Sequence, residues 1–296
     1  MGNKFSIFHI DGGIGKHIAA TAVAKSIKST HQDRDLIVIC SYPEIFLNLE
    51  FIDRVYRIGT TPYFYDDFID GKDSIIFRHE PYFTTEHIHK ELPLIENWCK
   101  LYNLDFSNEH PELIFNLRQQ QFGHNKWTRE KPIFVIHTNG GAINDQPFPY
   151  SWCRDMPYDL GQSVANHYIN EAYHVIQICR NSANILHGVE AVTEQLSNME
   201  LFYLLRLSDK RLLIDSCMQH AAAAMNLPST VLWIGTVPNV FGYTIHNNIQ
   251  ASLSETVKLP DSYLFDYNFN GFIHECPIIE PDIFDLSEII DSINGI

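Results

Sequence analysis

The stretch LLIDSCMQHAAAAMNLPSTVLWIG, residues Leu212 to Gly235, joins two short apolar runs through a polar turn and an Ala-rich segment. Leu212 to Ile214 is too short a run for a helix, and it stops at Asp215-Ser216, residue types that cap helix N-termini. A helix is predicted from about Gln219 to Asn226. Its consecutive alanines allow close approach to a sheet, Pro228 closes the connection, and Thr230 to Ile234 supplies the next β-rich run. The pattern predicts a βαβ unit whose polar turn sits at the carboxyl ends of parallel strands. Ligands of open α/β sheets bind at that edge, and the amides that open the helix attract phosphate.

The same alternation extends in both directions. Toward the N-terminus, strands are predicted at Phe5 to Ile10, Asp35 to Cys40, Asp53 to Ile58 and Ser74 to Arg78. Helices are predicted at Lys16 to Lys28, where Ile18, Ala22, Val23 and Ile27 repeat at helical spacing, after Pro43, and at Glu86 to Leu101. From Leu117 to Lys131 the chain turns polar, with consecutive glutamines, Gly123 and Pro132, which predicts an interdomain linker. A second alternating set follows: a strand at Ile133 to His137, a strand at His174 to Cys179, a helix at Asn198 to Leu207, and then the opening stretch. Phe284, Leu286, Ile289, Ile290 and Ile293 form an amphipathic pattern that predicts a terminal helix, packing back across the first domain. The fold class expected is α/β, two doubly wound Rossmann-like domains over residues 1–122 and 123–296.

Composition narrows the function classes. At 296 residues and 45% hydrophobic content the chain can bury two ordinary cores. A net charge of −15 with 21 scattered Lys and Arg disfavours nucleic acid, whose backbone is bound by clustered cations. No apolar run reaches membrane-spanning length, so no transmembrane segment is expected. The start MGNKFSIFHIDGG does not read as a signal peptide. Six cysteines without close pairing read as reduced thiols in a cytoplasmic protein. His87, His89 and Glu91 are the densest metal-like group, but histidines two apart on a helix point to different faces, and no metal or other cofactor is expected.

Asp215, Ser216, His220, Ala221, Ala222, Ala223 and Gly235 carry a resemblance. The order Asp-Ser-x-x-x-His, Ala-rich helix, Pro, strand and Gly resembles the C-terminal signature of the heptosyltransferase family of glycosyltransferases. Cys217 stands where the family has Gly, a residue that permits positive φ and close backbone contact with phosphate. The N-terminal stretch FHIDGGIGKHIAATAVAKSI runs from a strand through Gly12, Gly13 and Gly15 into a helix. Gly13, Gly15 and Ile18-Ala19-Ala20-Thr21 resemble the family's first loop in order, and Ile52-Asp53-Arg54-Val55 resembles a later segment. The family places its base, an Asp, where this chain has Lys16, and a lysine near its reference pKa of about 10.4 is a poor base at neutral pH. Asp11, His9 or His17 could take the role instead; Asp11 could equally stabilise the turn, and His17 could equally be structural. GGIGK also resembles a P-loop, but Ile10 replaces that motif's first Gly and His17 its Ser/Thr.

A third constellation is His137-Thr138-Asn139-Gly140-Gly141 with Trp152 and Arg154. It resembles the family's loop facing the donor phosphates, where Arg154 could grip a diphosphate by forked hydrogen bonds. Trp152 and Arg154 read equally well as a core aromatic and a surface charge. Glu200 falls near the family's acidic residue for the donor ribose.

The resemblance implies the GT-B fold, two Rossmann-like domains facing a cleft, with donor in the second domain and acceptor in the first. It also implies inverting, metal-independent transfer of a sugar from a nucleotide-diphospho-sugar to a hydroxyl of a glycan or lipid-linked saccharide. Ser216, His220, Arg154 and backbone amides would stabilise the leaving diphosphate. Two alternatives stay open: a non-catalytic sugar-nucleotide-binding protein, motivated by Lys16 and Cys217, and a P-loop-like nucleotide enzyme.

Overall fold

The computed structural model describes residues 3–140, 151–179, 184–254, 257, 276, 278 and 282–296. The chain divides into two units, Met1–Asn116 and Leu117–Ile296, each built on its own parallel sheet.

The first unit contains β1 (Lys4–Ile10), α1 (Ile14–Thr30), β2 (Asp35–Cys40), β3 (Arg54–Arg57), α2 (Phe64–Phe68), β4 (Asp73–Phe77), α3 (Thr85–Ile88) and α4 (Leu94–Leu101). The strand order is β3-β2-β1-β4, every pair parallel. β1 and β2 are covered on both faces and read as near-continuous apolar runs, as central parallel strands do. α1 lies against β1, β2 and α4, and its Ala19, Ala20, Ala22 and Ala24 expose no surface. The single helix expected from Glu86 to Leu101 is two. Lys90 takes a left-handed φ of 59°, and Pro93, which has no N–H to give a helix interior, serves as the N-cap of α4.

The second unit contains α5 (Leu117–Trp127), β5 (Ile133–His137), α6 (Tyr158–Asn170), β6 (His174–Ile178), β7 (Glu190–Val192), α7 (Asn198–Leu207), β8 (Lys210–Ile214), α8 (Cys217–Ala224), β9 (Thr230–Trp233), α9 (Pro238–Phe241), β10 (Asn247–Gln250) and α10 (Leu286–Asn294). Its sheet runs β10-β9-β8-β5-β6-β7, again all parallel. One face is filled by Phe134, Ile136, Leu212, Ile214 and Leu232 from the strands, with Val164 and Tyr168 of α6 and Ile289 and Ile293 of α10.

The stretch expected as a linker is α5, a helix packed on α7. Gly123 is there because a Cβ would stand 2.0 Å from Cδ1 of Tyr203, so the residue that reads as a breaker is a contact point. Trp127, 1% exposed, donates its indole N–H to the carbonyl of Glu200 at 3.2 Å. The terminal helix is present as α10, and its apolar face packs on α6, β8 and β9 of the second unit. α8 begins at Cys217, two residues earlier than expected, and its chain reverses at Asn226, which takes φ 56°.

Candidate active site

In the second sheet the chain leaves β5 toward β6 and β7 on one side and returns to β8 on the other. The loops after β5 and β8 therefore lie side by side at the point where strand order reverses, the ligand crevice of doubly wound sheets. His137, the last residue of β5, joins them. Its Nε2–H donates to the carbonyl of Asn139 at 2.9 Å, which leaves Nδ1 to accept the hydroxyl proton of Ser216 at 2.9 Å. Burial pushes the His137 pKa down to about 4, so the ring is neutral at physiological pH. Ser216 is also the N-cap of α8 and accepts the Met218 N–H at 3.1 Å. Its one proton is committed to His137. The hydroxyl thus ties the start of α8 to the end of β5, rather than standing with a free proton for the diphosphate.

Thr138, Asn139 and Gly140 are wired to partners from elsewhere in the unit. Thr138 Oγ1 donates to Asn139 Oδ1 at 2.9 Å and accepts from Gln177 Nε2 at 2.8 Å. Asn139 Nδ2 and the Gly140 N–H donate to the two oxygens of Asp155 at 3.1 and 3.2 Å. Gly141 lies outside the described residues.

Asp215, 5% exposed, follows β8 with Oδ2 buried and without a hydrogen-bond partner, while Arg154 Nε stands 3.5 Å away on a half-exposed side chain. The structure thus brings Arg154 to the β8 turn. His220 Nδ1 is 2.8 Å from the Tyr243 hydroxyl, and burial pushes its pKa down to about 4, which makes it a neutral hydrogen-bonding group. Cys217 occupies the first turn of α8 without a positive φ, so this backbone has no need of glycine there; burial pushes its thiol up to about 12. Gly235 is held by packing. Its N–H donates to the Cys153 carbonyl at 2.8 Å, and a Cβ would stand 2.6 Å from that of Cys153, the residue before Arg154. Glu200 is taken up in a capping box with Ser197 at the start of α7.

In the first unit the β1–α1 turn holds Asp11, Gly12 and Gly13, next to the β1–β4 switch point. Gly12 has φ 93°, open to glycine, and the Lys16 ammonium lies over it, 2.8 Å from where a Cβ would be. Asp11 Oδ1 accepts from the Ser41 hydroxyl and from the Gly12 N–H, both at 2.7 Å, and these bonds hold its carboxyl below the usual range. Gly15 and Lys16 are already in the first turn of α1, with Gly13 as N-cap. Lys16 Nζ pairs with Glu80 Oε1 at 2.5 Å and sits 5.5 Å from the centre of the Tyr82 ring.

His17 is not placed to act as a base. Its side chain exposes no surface and lies edge-on to Tyr42; Nδ1–H donates to the Gly13 carbonyl at 2.9 Å and Nε2 accepts the Ser41 N–H at 3.2 Å. Both ring nitrogens are occupied, and burial lowers the pKa. The P-loop resemblance loses its two charged or hydroxylic positions for the same reason: Lys16 is paired and residue 17 is a core ring.

Sequence reasoning missed Ser41, Glu80, Asp155, Gln177 and Tyr243. Ser41 follows β2 and Glu80 lies just past β4, so the rule that ligands gather at carboxyl ends of parallel strands could have found them. Among the described residues no group of three His, Cys, Asp or Glu could hold a metal ion, and no helix is long and apolar enough to cross a membrane.

No family model matches the chain, and no curated protein does. Solved structures do. The ADP-heptose lipopolysaccharide heptosyltransferase II of E. coli superposes with a TM-score of 0.65 at 12% identity, over 85% of this chain and 91% of that one. A glycosyl transferase of family 9 from Veillonella parvula gives 0.66 at 10%, over 99% and 96%. The E. coli heptosyltransferase WaaC, solved with ADP, gives 0.56 at 10%, over 84% and 93%. With its two parallel sheets and these superpositions, the protein has the fold of the heptosyltransferase-like, GT-B-type glycosyltransferases.

Proposed function

We propose that this protein is a glycosyltransferase that moves a sugar from a nucleotide-diphospho-sugar to a hydroxyl acceptor, a glycan or lipid-linked saccharide, with inversion and without a metal. The observation that carries the reading is the joining of the β5 and β8 loops through Ser216 and His137 at the switch point of the second sheet, beside Arg154 and the start of α8. In this reading the second unit binds the donor. Amides at the start of α8, Arg154 and His220 stabilise the charge that develops on the diphosphate as the bond from the anomeric carbon to the phosphate oxygen breaks. The first unit binds the acceptor. Asp11 takes the hydroxyl proton as the new bond to the anomeric carbon forms; its carboxylate is exposed, ionised, and bonded through Oδ1, with Oδ2 available.

Two measurements test this. ADP, UDP, GDP and CDP are screened by thermal shift in EDTA and in magnesium, and one diphosphate is expected to raise the melting temperature equally in both, by mass action. No shift with any of them counts against the donor site. Asp11→Asn keeps an acceptor oxygen for Ser41 and Gly12, so it is expected to retain diphosphate binding and lose transfer by about 10²-fold or more. The second reading, a binding protein without transfer, is favoured by the Lys16–Glu80 pair, which leaves no carboxylate on the first turn of α1. It predicts binding of the intact donor with neither transfer nor hydrolysis.

A further inference from the structure

The sheet of the first unit has two edges, β3 and β4, and they are finished differently. β3 reads Arg-Val-Tyr-Arg, with exposed arginines at both ends, the kind of charge that keeps an edge from pairing. β4 reads Asp-Ser-Ile-Ile-Phe, and its Ile76 is 55% exposed. In the second sheet, the edge strand β7 is three residues long and β10 reads Asn-Asn-Ile-Gln. Among the described edge strands, β4 alone presents an apolar run. Its register on β1 tells which backbone groups are open. The Asp73 N–H donates to the Asn3 carbonyl at 2.9 Å, and Lys4 lies opposite Asp73. Alternation along a parallel ladder then turns the N–H and C=O of Asp73, Ile75 and Phe77 toward β1, and those of Ser74 and Ile76 outward. Ser74 and Ile76 stand opposite Phe5 and Ile7, on the face that α2 covers with Phe68, and the Ser74 hydroxyl donates to the Phe68 carbonyl. Phe77 packs on the other face against Tyr102, with ring centres 5.1 Å apart.

We propose that β4 is the docking edge for a second copy of this chain, the two strands pairing antiparallel about a two-fold axis at Ile76. Such a contact uses the same patch on both copies and closes as a dimer. Antiparallel pairing requires that residues with outward amides meet one another. With the axis at Ile76 they do: Ile76 faces its own counterpart, and Ser74 faces the counterpart of Arg78. The same register sets Asp73 against His79 and Lys72 against Glu80, whose backbone is still extended at φ −102° and ψ 149°. Moving the axis to Ile75 instead opposes Lys72 and Arg78, and like charges directly opposite destabilise a strand pair. The order of charge along the strand, Lys72 before the apolar run and Glu80 after it, makes the edge complementary to an antiparallel copy of itself. That self-complementarity, with the exposed Ile76 at its centre, is what identifies the occupant.

The test is sedimentation velocity of the full chain over a concentration series, joined to amide hydrogen exchange. One strand pair with its flanking side chains belongs to the small, transient class of interfaces, so a monomer–dimer equilibrium is expected with Kd of about 10–100 µM. Ile76→Lys sets two ammonium groups face to face at the axis and should weaken association about 100-fold. Ile76→Pro should abolish it while keeping the fold, because the N–H it removes is not part of the β1 ladder; should that variant unfold, Ile76→Lys decides. Leu47→Lys alters an equally exposed apolar residue off the strand, 63% exposed, and should leave the dimer unchanged. As concentration rises, the Ser74 and Ile76 amides should become slow to exchange, whereas those of Ile75 and Phe77, already bonded to β1, should not change. The proposal is overturned by a monomer at every concentration, by a dimer that survives Ile76→Lys, or by new protection that falls elsewhere. It is also overturned if the Ser74 and Ile76 amides are slow to exchange in a monomer, which assigns the edge to a segment of the same chain. None of these outcomes bears on diphosphate binding, so the transferase reading stands or falls separately.

Discussion

The Ser216 hydroxyl gives its proton to His137 Nδ1 across 2.9 Å and at the same time accepts the N–H of Met218, so one side chain ties the end of β5 to the start of α8. Removing it leaves two groups unmet, a helix-start amide and a buried imidazole nitrogen. Ser216→Ala is expected to cost about 1–3 kcal/mol in urea unfolding and to weaken diphosphate binding several-fold, while Ser216→Thr, which keeps the hydroxyl, retains most of both. An alanine variant as stable as the wild type would show that this bond holds nothing together.

Four buried histidines, His87, His137, His220 and His246, have pKa values pushed down to about 4, chiefly by loss of solvation. The unfolded chain takes up these protons as pH falls through about 6.5, while the folded protein refuses them until about pH 4. Protonation therefore favours the unfolded state across that window. Stability is full above about pH 6.5 and is lost on the way down, each ring contributing about 1.4 kcal/mol for every pH unit that separates its folded from its unfolded pKa. Urea midpoints measured from about pH 7.5 to about pH 4.5 should fall steadily below about pH 6.5. A flat profile would mean that these rings are solvated in the folded protein.

Gly123 on α5 and Tyr203 on α7 meet where a Cβ would stand 2.0 Å from the ring. Gly123→Ala is expected to destabilise by about 1–3 kcal/mol through overpacking. In a Tyr203→Ala background the same change should cost much less, because the two residues share one contact. Additive effects in denaturant unfolding would place α5 away from α7.

That glycine also explains what the sequence does not reveal. Parallel strands buried on both faces announce themselves as apolar runs, and so β1, β2, β5, β6 and β8 are readable, as is the turn at Asp215-Ser216 with its Ala-rich helix. α5 is hidden because glutamines and a glycine read as a linker, whereas the glycine answers a ring distant in the chain. β7 and β10 are short edge strands, Glu190–Val192 and Asn247–Gln250, too polar to signal burial. In the site, types and positions of residues are legible but their commitments are not. Nothing local in the sequence says that the second nitrogen of His17 meets the Ser41 N–H past β2, or that the Ser216 proton belongs to His137 at the end of β5, since those partners are distant in the chain.

Lys16 shows how such a commitment can be tested. Its side chain is 10% exposed and its partner Glu80 28%, with Tyr82 beside the ammonium, so the pair is only partly screened by water. Lys16→Asp sets a second carboxylate against Glu80 near Asp11 and is expected to destabilise by about 2–4 kcal/mol, even though it places an acidic residue on the first turn of α1. Glu80→Lys alone opposes two ammonium groups and should also destabilise. The reversed pair, Lys16→Asp with Glu80→Lys, restores opposite charges and should recover about 1–3 kcal/mol over the sum of the single changes. Thermal and urea unfolding of the four proteins reads that coupling directly. No recovery in the reversed pair would mean that the two residues are linked by packing around Tyr82, with the ion pair incidental.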